Sequence, residues 1–154
     1  MNQNDFINLS EFLLGLPLEP PLVPVAITDL DPDLANVYLS VLTQSSPQAA
    51  SLDQLASTWE GIQKLPANQQ AAAVTSQIMN DPNNPNLGVL ARQIILAWYT
   101  GFHSWFSGPT PIFPTPTPDP ANYEQTLVWL LAQAHPMGVP LSFGYWQYPP
   151  NGAT

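Results

Sequence analysis

The sequence predicts a single all-α domain of five to six helices, and three observations carry that prediction. Apolar residues recur at three- and four-residue spacing in successive windows, proline and capping residues punctuate the intervals, and no useful stretch alternates polar and apolar as a half-buried strand does. A chain of 154 residues can bury roughly 70% of its unfolded surface, enough for one core without a disulfide or metal. Residues 1–154 are therefore read as one domain, with no internal repeat beyond a shared Asp-Pro pair.

In chain order, Phe6, Leu9, Phe12 and Leu13 share a helical face over Phe6 to Leu16, stopped by Gly15 and Pro17. Pro20, Pro21 and Pro24 make Leu18 to Leu30 a connector, since each proline removes a backbone donor. Asp31-Pro32 is a helix start, the carboxylate accepting an orphan N–H and the proline presetting φ, and Leu34, Val37, Tyr38, Val41 and Leu42 follow on one face. Ser51 is read as the cap of the next stripe, Leu52, Leu55, Ala56, Trp59 and Ile62, which Leu65-Pro66 interrupts. Pro66 opens a further helix to about Met79, before the turn cluster Asn80 to Pro85.

Leu87 to Phe106 reads as a central helix, apolar on two faces: Leu87, Ala91, Ile94, Trp98, Phe102 and Trp105 on one, and Val89, Arg92, Leu96, Tyr99 and His103 on the other. The six prolines from 109 to 120 predict an extended, polyproline-like loop within Ser107 to Ala121. Asp119-Pro120 starts a last helix, with Tyr123, Leu127, Leu130, Leu131 and Ala134 inward and Trp129 pointing away, ended by His135-Pro136. Residues 137–154 form an extended aromatic tail containing Phe143, Tyr145, Trp146 and Tyr148 without helical period.

Charge narrows the function. The net charge is −9 and the two cations, Lys64 and Arg92, stand far apart in sequence, so no basic patch for nucleic acid or anionic lipid can be assembled. Only 8% of residues are charged, against roughly 25% in ordinary soluble domains; part of the surface is expected to be covered by another chain. Met1 to Leu18 has no Lys or Arg and carries Asp5 and Glu11, so it does not read as an export signal, and the apolar tract from Ile94 to Phe106 is too short to span a bilayer. The absence of Cys leaves the compartment open.

Catalytic frames are missing. No glycine-rich dinucleotide or phosphate loop, no His-Glu-x-x-His and no Gly-x-Ser-x-Gly occurs. His103 and His135, the only imidazoles, fall on different expected helices and read as helix-end residues complementing the macrodipole. Arg92 and His103 share a face but stand about 16 Å apart along the axis, too far to converge on one reacting atom. An Arg in such a setting is expected to pair with a carboxylate inside the fold or an interface. Asp29, Asp31 and Asp33 lack the glycine and distal glutamate of a calcium loop and read as helix-start charges. No catalytic, cofactor or metal site is assigned to this chain.

The run Leu90-Ala91-Arg92-Gln93-Ile94-Ile95-Leu96-Ala97-Trp98-Tyr99-Thr100-Gly101 resembles the signature helix of the small (gamma) subunit of bacterial membrane-associated FAD-dependent sorbitol, fructose and glucose dehydrogenases. Phe6 to Gly15, Leu30-Asp31-Pro32, Tyr123-Glu124 with Leu127, and Gly144-Tyr145-Trp146 with Pro149 are similar to further motifs of that family, in the same order. The resemblance implies a non-catalytic accessory subunit that binds, stabilises and helps mature a large flavoprotein of the glucose-methanol-choline type. FAD would sit on that partner, with a cytochrome c subunit in some complexes, and the setting would be periplasmic. The family's twin-arginine leader and its cysteine are not found in this sequence, which excludes a disulfide to the partner and leaves a cytoplasmic setting as the alternative.

Interface anchors are typically Trp, Tyr and Arg among neutral polar groups. Arg92, Tyr99, Trp129, Phe143, Tyr145, Trp146 and Tyr148 are accordingly the expected partner interface, with intramolecular core as the competing reading for the helix residues. A free-standing helical interaction module, using the proline-rich loop and aromatic tail, is the alternative function.

Overall fold

The computed structural model describes residues 1–16, 18, 34–100, 105–107, 110–112 and 127. They form the predicted all-α fold: α1 (Gln3–Leu14), α2 (Leu34–Ser45), α3 (Leu52–Gln63), α4 (Ala67–Val74) continued by a π-helical turn (Thr75–Met79), and α5 (Pro85–Thr100). Helix α1 packs against α2, α3 and α5, and α3 also contacts α4 and α5.

Helix α1 begins earlier than its apolar stripe, because the Asn2 side chain accepts the Asp5 N–H at 2.9 Å. It ends at Gly15, whose φ of 66° only glycine adopts cheaply and whose N–H reaches the Glu11 carbonyl at 2.9 Å. Of the expected inward residues, Phe12, Leu13, Val37, Val41 and Ala56 are only half-buried, while Phe6 and Leu9 of α1, Leu34, Tyr38 and Leu42 of α2, and Leu52, Leu55, Trp59 and Ile62 of α3 are the core. Trp98 of α5 joins them, with Tyr38 edge-on at 5.0 Å between ring centroids and Phe6 at 6.4 Å. Burial pushes the Tyr38 hydroxyl well above the ordinary tyrosine pKa, so it stays neutral. Leu127 is buried in the same core, while the rest of the last expected helix lies outside the described residues.

Four local expectations are corrected. Ser51 does not cap α3 with its side chain: a 3₁₀ turn over Ala49–Ser51 leads into the helix, and Ser51, at φ −93° and ψ 0°, lacks the extended backbone that aims a hydroxyl at the first free N–H groups. Pro66, at ψ 140°, precedes its helix rather than opening it. The helix that follows reaches Met79 as expected, but its last five residues are π-helical. Thr75 and Ser76 hydroxyls donate back to the Ala71 and Ala72 carbonyls at 2.9 Å, competing for the acceptors that α-helical N–H groups use, and the turn closes with the Asn80 N–H on the Thr75 carbonyl at 3.0 Å.

The fourth concerns α5, described as Pro85–Thr100, which does not run on to Phe106. Trp105–Ser107 instead pairs antiparallel with Thr110–Ile112, so Ser107 and Thr110–Ile112 of the expected polyproline segment are strand. Extended and polyproline backbones lie close in φ and ψ, and a two-stranded pair consists of edges only, where Pro111 opposite Phe106 is tolerated. The remainder of the proline-rich loop and the aromatic tail lie outside the described residues.

Candidate partner interface

Helix α5 divides as its sequence pattern requires. Leu87, Ala91, Ile94 and Trp98 are buried in the core. On the other face Val89, Leu96 and Tyr99 are half-buried and Arg92 is exposed. Positions 89, 92, 96 and 99 repeat at intervals of three, four and three, the spacing of a helix-packing seam. Tyr99 also leans on the core, so its two sequence readings, core and surface, each hold for part of the side chain. Arg92 and Tyr99 are thus brought to one face, two turns or about 10 Å apart along the axis. Trp129, Phe143, Tyr145, Trp146 and Tyr148, together with His103 and His135, lie outside the described residues.

The expected carboxylate partner of Arg92 is not found among the described residues, where the side-chain ion pair is Lys64 with Glu60 at 2.8 Å. Arg92 Nη2 instead donates to the Met79 carbonyl at 3.4 Å, at the end of the π turn. A cation there complements the negative end of the α4–π segment, which has no basic residue in its own last turn. The approach depends on Gly88. A Cβ at that position would stand 2.5 Å from the Met79 carbonyl oxygen, 3.2 Å from that of Ile78 and 3.0 Å from Arg92 Nη1. The guanidinium therefore lies over a glycine, and the π turn, Gly88 and Arg92 fix one another.

Behind the seam, Gln93 is 2% exposed and holds the end of α2. Ser46 Oγ donates to its Oε1 at 3.0 Å, and its Nε2 donates to Gln48 Oε1 at 3.2 Å. Gln93 is not legible from sequence, because a lone amide within an apolar run signals nothing until its partners, more than forty positions away, are placed beside it. The pairing satisfies the amide and sets the rotation of α5 about its axis.

The described residues do not fit a flavin. A dinucleotide needs open glycine backbone at a helix start with free donors for the phosphates; here Gly15 ends a helix, and the space over Gly88 is filled by the chain's own carbonyls. Among the described residues no three His, Cys, Asp or Glu side chains gather as a metal site requires, and no helix is long and apolar enough to cross a membrane. A family model for membrane-bound FAD-containing D-sorbitol dehydrogenase matches residues 1–135. No curated protein and no solved structure matches the chain.

Proposed function

Because the chain belongs to the family of membrane-bound FAD-containing D-sorbitol dehydrogenase, we propose that it is the non-catalytic accessory subunit that binds, stabilises and helps mature the large flavoprotein. FAD and the oxidation of sugar or polyol belong to that partner, of the glucose-methanol-choline type, and the assembly works in the periplasm, with a cytochrome c subunit accepting electrons in some complexes. Arg92 and Tyr99 on α5, Trp129, and Phe143, Tyr145, Trp146 and Tyr148 of the tail are the contacts.

The observation that carries this reading is the outward seam of α5: Val89, Leu96 and Tyr99 half-covered beside an exposed Arg92, on the helix whose opposite face is the core. A helix with two apolar faces gains from a second covering surface, at roughly 25 cal/mol per Å² removed from water. Coexpression with an FAD-containing large subunit of this family, followed by purification through a tag on this chain, tests it: a complex with flavin absorbance is expected. Deleting Ser142 to Thr154 should lower the yield of that complex while leaving the free chain helical by circular dichroism. A lone, stable particle that never acquires flavin overturns the subunit reading.

A further inference from the structure

Among the described residues, Arg92 is engaged on one side only. A guanidinium carries five N–H donors in a planar fork, and a single long contact to the Met79 carbonyl accounts for one of them. The group is exposed, and no carboxylate among the described residues forms an ion pair with it. Its neighbours along the seam, Val89 and Leu96, are apolar. Any surface that covers those residues strips water from the guanidinium between them, and a charge desolvated without an acceptor opposes association. Covering the seam therefore calls for acceptors opposite Arg92, and a carboxylate matches both the charge and the fork.

We infer that Arg92 is the polar anchor of this face and receives a carboxylate from the flavoprotein subunit, gripped by the outward edge of the fork while the inner edge stays on Met79. The inference rests on the accessory-subunit reading and adds the chemistry of the contact. The scarcity of cations argues for it: two side chains carry positive charge, and Lys64 is already paired with Glu60. Arg92 is thus the one side-chain cation of the described residues left to meet an acidic group. Its position is set before docking, because Gly88 admits the guanidinium against the helix and the π turn presents the carbonyl that orients it. A preorganised fork loses less entropy on binding than a free side chain does.

The test measures affinity of the full chain for its FAD-containing subunit, with thermal melts of each free variant. R92Q should weaken binding about thirtyfold or more, chiefly through faster dissociation. R92K keeps the charge and loses the fork, so it should recover only part of the affinity; K64Q should bind as the wild type does. R92Q at wild-type affinity overturns the inference and leaves the subunit reading standing, whereas failure of the wild type to bind overturns both. A lowered melting temperature with unchanged affinity assigns Arg92 to a contact within its own chain, including a carboxylate of its own chain, and likewise overturns it. Should R92Q fail to fold, R92K carries the comparison: about tenfold weaker binding supports the fork and wild-type binding rejects it.

Discussion

Replacing Gly88 with alanine sets two known effects against each other within one helix. Away from its neighbours, glycine to alanine inside a helix gains up to about 1 kcal/mol. At position 88 the added Cβ would stand 2.5 Å from the Met79 carbonyl oxygen and 3.2 Å from that of Ile78. Even close carbon–oxygen contacts keep about 3.3 Å, so the nearer approach is too short by about 0.8 Å. Both opposing atoms are backbone, and relief means moving the π turn off α5, at an overpacking cost of about 1–3 kcal/mol. Because the turn also holds Arg92, the upper part of that range applies, and the net is a loss of about 1–2 kcal/mol. For a chain of this size that lowers Tm by about 2–8 °C. Gly61, in α3 and with nothing within 4 Å of its Cβ position, is the internal control: G61A should raise Tm by up to about 4 °C. Melts by circular dichroism and urea titrations of the two variants check the difference in sign. A G88A protein as stable as G61A would refute the close approach of α5 to the π turn.

Two further outcomes are expected. Q93L removes the amide that joins Ser46 and Gln48 to α5; it should cost about 1–3 kcal/mol by urea denaturation, and a stabilised variant would mean that the buried pairing is not formed. Asp81 is held below its ordinary pKa of 3.8, first by the Asn84 amide and then by the Asn83 N–H. Its contribution to stability is therefore complete above that value and is lost as pH falls from there through the lowered folded-state pKa; D81N should flatten this part of the stability profile in acid, and an unchanged profile would refute the assignment.

The parts of this fold legible in the sequence are those that a periodic pattern can state. Phe6 and Leu9, Leu52, Leu55, Trp59 and Ile62, and Leu87, Ala91, Ile94 and Trp98 declare their inward faces by spacing alone, and all of them are core. Caps read less well, because a cap depends on the backbone angle of one residue: Asn2 and Gly15 have the required angles, and Ser51 does not. The π turn reflects a competition for carbonyls that consecutive Thr75 and Ser76 set up, which no stripe of hydrophobicity reports. Gly88 read from sequence is only a poor helix former; its role depends on carbonyls nine and ten positions earlier returning to touch it. Of the candidate site, the sequence placed Arg92 and Tyr99 on one face correctly, yet could not provide the Met79 carbonyl that orients Arg92, since that contact depends on where the intervening turn puts the two helices.

On the proposed subunit role, the arrangement of α5 accounts for how a chain so poor in charge would specify one partner-facing surface. Apolar area alone sets no orientation, because hydrophobic contact is non-directional. Orientation comes from the polar groups placed among it, and α5 has one inside and one outside. Gln93, locked to Ser46 and Gln48, fixes how the helix is turned within its own fold; Arg92, one residue earlier and about 100° around the helix, stands on the neighbouring, exposed flank. Turning α5 to improve one contact would break the other, so the rotation that satisfies Gln93 inside is also the rotation that presents Arg92, Leu96 and Tyr99 outside. A variant that loosens the amide cluster should therefore disturb the outward seam without touching any residue on it, which makes Q93L a probe of docking as well as of stability.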